Sequence, residues 1–155
     1  MAEAGDKAPD FNLATDRGGS LKLSGLKGHT VVVYFYPKDD TSGCTKEAQA
    51  FTALGSAFAE AGVRVIGISP DSVESHAKFR AKYGLAVDLV ADPERKAIEA
   101  FGVWVEKSMY GRKYMGVDRS TFLIDGKGNI VRVWRKVKVP GHAEEVLAAA
   151  EALGS

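Results

Sequence analysis

VVVYFYPKDDTSGCTKEAQAFTALGSAFAEAGVRVIGIS, running from Val31 to Ser69, decides the fold. Its opening, Val31-Val32-Val33-Tyr34-Phe35-Tyr36, is a continuous β-branched and aromatic run. Such a run suits a strand buried on both faces of a parallel or mixed sheet. Pro37 ends the strand, and Lys38 to Gly43 is a polar turn. From Cys44 to Ala61 the residues Ala48, Phe51, Leu54 or Ala57, and Phe58 recur at spacings of three and four, which predicts a helix closed by Gly62. Val63 to Ser69 is the next strand.

The same alternation extends outward. Residues 5–30 carry Pro and Gly punctuation around Phe11 to Leu13 and Leu21 to Leu26, a short strand or hairpin followed by a turn. After Ser69, Asp71 or Ser72 caps a helix that runs to about Tyr83 and ends at Gly84. Val87 to Ala91 is a short strand. Asp92-Pro93-Glu94 opens a helix with an acidic cap and Pro at its first position, running to about Phe101 and Gly102. Residues 103–118 read as a loop with some strand, in which Trp104, Met109 and Tyr110 serve core packing rather than an apolar substrate wall. Ser120 to Asp125 and Ile130 to Val139 form a hairpin around Gly126-Lys127-Gly128-Asn129. In the second of these strands Val131, Val133, Val137 and Val139 share one face. A C-terminal helix carries Val146, Leu147, Ala150 and Leu153. The fold class is α/β: a mixed central sheet flanked by helices, within a single domain over 1–155.

The chain has 155 residues and a single cysteine, which excludes an internal disulfide and a Cys-rich zinc ribbon. The net charge of +1 calls for no nucleic acid and no anionic membrane. Residues 107–138 are nonetheless basic and read as a solvated face. The N-terminal residues lack the pattern of a secretory signal, and no apolar run is long enough to span a bilayer. With an unpaired thiol, these features point to a cytoplasmic location. His29, His76 and His142 read as surface groups, too scattered for a metal site or a cysteine-protease base.

Cys44 stands where a strand and turn give way to a helix. Unpaired N–H groups and the helix macrodipole stabilise an anion there, so the position suits a reactive thiolate. The polar loop before it does not suit an inert packing thiol. No Cys-x-x-Cys is present, because Thr41 occupies the position three residues before Cys44.

Pro37-x-x-x-Thr41-x-x-Cys44 resembles the active-site signature of the peroxiredoxins. The string from Tyr34 to Glu47 is similar to the bacterioferritin-comigratory (Q-type) subfamily. Further blocks agree: Ala8-Pro9-Asp10-Phe11, Gly67-Ile68-Ser69, Phe101-Gly102-Val103-Trp104 with Glu106-Lys107, and Arg119 to Asp125. The resemblance implies a thioredoxin-like fold and thiol-dependent reduction of hydrogen peroxide or organic hydroperoxides, without a metal or prosthetic cofactor. It makes Cys44 the nucleophile and Thr41 a hydroxyl partner of thiolate and peroxide. Pro37 becomes the shield of the loop, Arg119 the cation, and Glu47 the group that orients Thr41 or Arg119 from behind.

Many Q-type members carry a second cysteine five residues after the nucleophile, or in the following helix. Gln49 and Arg80 stand at those positions here, and Ser42 replaces a usual proline. The resemblance therefore implies a one-cysteine variant recycled by an external thiol, either thioredoxin, glutaredoxin with glutathione, or a small thiol. It implies a monomer, with a dimer as the alternative. A redox-sensing thiol module is the second functional reading.

Overall fold

The computed structural model describes residues 2–153. β1 (Asn12–Ala14) and β2 (Ser20–Lys22) form a small antiparallel ribbon, and a 3₁₀ turn at Leu23–Leu26 leads to β3 (Thr30–Phe35). α1 (Ser42–Ala53) and α2 (Gly55–Glu60) cross to β4 (Val63–Ser69), and α3 (Val73–Tyr83) crosses to β5 (Asp88–Ala91). α4 (Lys96–Ala100) precedes a ribbon of β6 (Trp104–Met109) and β7 (Arg112–Val117). β8 (Ser120–Ile124), β9 (Ile130–Trp134) and α5 (His142–Leu153) complete the chain.

The main sheet has the order β5-β4-β3-β8-β9. β3, β4 and β5 are parallel, whereas β8 is antiparallel to β3 and to β9. β3 alternates between two cores, as its unbroken apolar run requires. Val31, Val33 and Phe35 join Phe101, Phe122 and Ile98 on one face. Val32 and Tyr34, with Tyr36 just past the strand, join Phe51, Phe58, Phe79 and Val146 on the other. Phe35–Phe122 and Phe101–Phe122 meet edge to face at 5.7 and 4.9 Å, a favoured aromatic geometry.

The expected strand at Val63–Ser69 and the Ser72 cap, which accepts a hydrogen bond from Ser75 N–H, both occur. Gly84 ends α3 in the left-handed region at φ +62°, which glycine adopts without steric cost. Other expectations need correction. The helix expected from Cys44 to Ala61 starts at Ser42 and breaks at Leu54, before the weak helix formers Gly55 and Ser56. The break lets Phe51 and Phe58 meet at 5.9 Å. The helix expected from Pro93 begins only at Lys96, because Arg95 is left-handed at φ +60°. Asp92 still caps it, its carboxylate accepting from Lys96 N–H at 2.8 Å and Ile98 N–H at 2.9 Å.

Residues 104–117 are a regular ribbon turned by Tyr110 and Gly111 at φ +52° and +78°. Met109 and Tyr110 are exposed there instead of packing in the core. The strand expected to reach Val139 stops at Trp134, and Lys136 turns the chain at φ +49°. Register shifts between Leu123 and Ile124, which bulges Val131 out of the ladder and exposes it. His76 and His142 are buried, contrary to expectation, whereas His29 is exposed. No helix among the described residues is long and apolar enough to cross a membrane.

Candidate active site

The sheet register brings the distant site residues together. β3 ends at Phe35, which pairs with Ser120, so the antiparallel β8 delivers Arg119 beside the loop that leaves β3. That loop returns into α1, whose first turn carries Cys44. The site lies at the carboxyl end of β3, where the chain leaves the central strand, the usual location of a site in an open α/β sheet.

Cys44 is 1% exposed and is the third residue of α1. The polar loop beside it does not leave it in solvent; it is covered by the Arg119 guanidinium. Arg119 Nη2 donates to Cys44 Sγ at 3.2 Å, and Nη1 donates to Glu47 Oε1 at 2.6 Å. No acidic residue stands in the first turn of α1 to oppose an anion at its N-terminus. Gly43 makes the approach feasible, because a Cβ there would lie 3.2 Å from Arg119 Nη2. Sequence reading missed that requirement; its only sign was the small residue directly before Cys44.

Glu47 is one turn beyond Cys44 and buried. Burial pushes its carboxyl up, the Arg119 charge and hydrogen bond pull it back in part, and it settles at about 7. Its Oε2 has no hydrogen-bond partner among the described residues. Glu47 accepts from Arg119, and among the described residues no hydrogen bond joins it to Thr41, so of its two expected targets the geometry favours Arg119. Burial works against the Arg119 charge, but Glu47 and Cys44 together hold the guanidinium above its ordinary range.

Thr41 precedes α1, and its hydroxyl donates to the Lys38 carbonyl at 2.8 Å. Its only proton is thereby used, leaving oxygen lone pairs to accept. Pro37 is half-buried at the start of the loop and offers no N–H there. Thr41 C=O accepts from Thr45 N–H at 2.8 Å, tying the loop to the helix.

Gln49 is exposed on α1. Arg80 is a structural clamp: it pairs with Asp16 at 2.5 and 3.0 Å and donates to the Leu85 and Val87 carbonyls at 2.6 and 2.7 Å. The basic 107–138 segment is not one solvated face. Arg119 lies in the site, Arg132 pairs with Glu145 and stacks on Trp134, and Arg135 donates to the Ala2 carbonyl.

Residues 4–133 match the model of the AhpC/TSA family. The chain belongs to the peroxiredoxins of that family. A putative peroxiredoxin Bcp of Coxiella burnetii is 52% identical over 145 residues, covering 94% of this chain and 96% of that one. Peroxiredoxin Bcp of Bacillus subtilis is 51% identical, covering 94% and 92%. Xanthomonas campestris peroxiredoxin Q superposes with a TM-score of 0.90 at 47% identity, covering 94% and 92%. A Xylella fastidiosa PrxQ variant superposes at 0.94 with 40% identity, covering 100% and 99%.

This peroxiredoxin is therefore a thiol-dependent peroxidase of the Bcp, or Q, type with a thioredoxin-like fold, and it carries one cysteine. Two further Xanthomonas structures are serine variants of different cysteines. Those cysteines have the same separation along their chain as Cys44 and Arg80 have here.

Proposed function

We propose that Cys44 is the nucleophile of this peroxidase and that Arg119, Thr41, Pro37 and Glu47 serve it in distinct ways. The observation that carries the reading is the guanidinium that spans Cys44 Sγ and Glu47 Oε1. In the reaction the Cys44 thiolate attacks one peroxide oxygen in line with the O–O bond. The S–O bond forms as the O–O bond breaks, the peroxide's own proton stays on the sulfenic oxygen, and the departing hydroxide or alkoxide takes a proton from solvent to leave as water or alcohol. Cys44 is left as a sulfenic acid.

Arg119 holds positive charge beside the thiolate and beside the oxygen on which negative charge develops. Glu47 fixes the guanidinium from behind. Thr41, its proton committed to Lys38, acts as an acceptor for a peroxide O–H and so aligns the bond to be broken. Pro37 screens the loop from water. Substrate alignment matters because a thiolate stabilised by its surroundings is also a weaker nucleophile.

The sulfenic acid meets no second cysteine within the chain. An external thiol displaces water from it to form a mixed disulfide, and a second thiol releases Cys44. Thioredoxin, or glutaredoxin with glutathione, is the proposed class of reductant. Hydrogen peroxide and organic hydroperoxides are the proposed substrates; a Xanthomonas relative is described with alkyl peroxide reduction activity. Cys44→Ser should abolish peroxide consumption with dithiothreitol as reductant while leaving the fold intact. Activity persisting in that variant would overturn the reading.

A further inference from the structure

The loop between β3 and α1 is gripped from outside the site. Asp39 is buried within it. Asp39 Oδ1 accepts from the Tyr36 hydroxyl at 2.6 Å. Its Oδ2 accepts from the Ser75 hydroxyl at 2.8 Å and meets His76 Nδ1 at 2.7 Å. Its backbone N–H donates to Asp71 Oδ2 at 2.8 Å, and Asp71 is steadied by the Ser69 hydroxyl at 2.6 Å. Asp40 follows in the left-handed region at φ +59°, clipped by Lys82 Nζ at 2.8 Å and the Tyr83 hydroxyl at 2.5 Å. Most of these grips come from α3 or the turn that enters it.

One peptide unit links this network to the chemistry. The Asp39 N–H held by Asp71 and the Lys38 carbonyl that receives the Thr41 hydroxyl belong to the same planar peptide group. Fixing Asp39 therefore fixes the plane against which Thr41 is oriented.

His76 completes the grip. It is fully buried, and Nε2 lies 3.0 Å from the Val90 carbonyl, which can only accept, so Nε2 carries a hydrogen. Nδ1 faces the Asp39 carboxylate at 2.7 Å from Oδ2, within reach of a charge-assisted hydrogen bond. Burial opposes charge on His76, but the Asp39 hydrogen bond and charge outweigh it, aided by Asp71, and hold the imidazole above its ordinary range.

We propose that His76 is a positioning residue for peroxide reduction: through Asp39 it sets the Lys38–Thr41 turn that seats the peroxide against Cys44. The proposal rests on the roles of Cys44 and Thr41 given above. It separates two things that an active thiol needs. Arg119 and the start of α1 stabilise the thiolate and, among the described residues, share no hydrogen bond with His76, whereas alignment of the peroxide depends on the loop that His76 holds.

The test compares two reactions of Cys44 in His76→Gln, Asp39→Asn and the double variant: reduction of hydrogen peroxide and alkylation by iodoacetamide. Alkylation needs the thiolate but no aligned peroxide. Each single variant should lose about ten- to a hundredfold in kcat/KM for peroxide, the scale of an ångström-size misplacement, with alkylation changed less than about twofold. The double variant should be no slower than the slower single, because both residues act through one contact. Ile98→Ala, a packing defect in the opposite core, should leave the ratio of the two rates unchanged.

If His76→Gln does not fold, Ser75→Ala removes one donor to Asp39 and should lower the peroxide rate alone by about two- to tenfold, the worth of one hydrogen bond. Peroxide and alkylation rates falling together, or neither falling, would overturn the role of His76. Loss of both reactions only in Cys44→Ser would leave the nucleophile assignment standing.

Discussion

At Cys44 the decisive neighbour is Arg119. Replacing Arg119 with Met keeps the unbranched stem of the side chain but removes the cation that contacts both Sγ and Glu47. Peroxide kcat/KM should fall by about a hundred- to a thousandfold, the cost of losing one preorganised donor at developing charge, when measured by stopped-flow fluorescence. Arg119→Lys should recover only part of this, since an ammonium cannot reproduce two donors in a planar fork. Glu47 makes a second prediction. Its folded value of about 7 lies above its ordinary 4.5, so its stabilising contribution is complete below about 4.5 and is lost as pH rises through about 7. His76, also raised, adds the same sign above its ordinary 6.5. Burial pushes His142 below its ordinary 6.5, which opposes that fall, so the test is a difference: between pH 5 and 7 Glu47→Gln should lose less melting temperature than the parent, and equal losses would contradict it. The placement of Pro37, Thr41 and Cys44 around one loop and helix start was legible in the sequence because their spacing is local. Asp39 was not, because an acidic residue in a polar turn looks solvated until His76, on α3, is folded against it.

Among the elements, α3 carries the most consequence. It anchors the active-site loop at one side and, through Arg80, clamps Asp16 and two carbonyls of the chain entering β5. The Asp16 side chain is 2% exposed, so Arg80→Ala would strand a buried carboxylate. We expect a loss of about 3 kcal/mol in urea unfolding, at the low end for breaking such a pair because Arg80 is partly solvated. A change within experimental error would show that Asp16 finds water instead. The boundaries of α3 were legible because its Ser72 cap and Gly84 stop are strong local signals. The β6–β7 ribbon was not: much of it is exposed on both faces, which removes the apolar alternation that marks a half-buried strand. The start of α4 was misplaced because Arg95 takes a left-handed conformation that its residue type does not announce.

For the whole molecule, the sheet joins residues far apart in sequence, and the proposed cycle, with Cys44 as the one cysteine of the chain, is completed by an external thiol. The alternation of strands and helices made the layered architecture legible, but the pairing of β3 with β8 that delivers Arg119 is a tertiary fact. That residue was identified only by resemblance of its sequence block. With no resolving thiol in the chain, the sulfenic acid should persist until a reductant arrives, and excess peroxide should carry it on to sulfinic acid. The most direct measurement is a single-turnover titration with hydrogen peroxide in the absence of any thiol, read by peroxide consumption and intact mass. With peroxide not in excess, the protein should consume one equivalent, gain one oxygen at Cys44 and form no intramolecular disulfide, while Cys44→Ser consumes none. Consumption by Cys44→Ser, or repeated turnover without added thiol, would contradict a Cys44 peroxidase that depends on an external reductant.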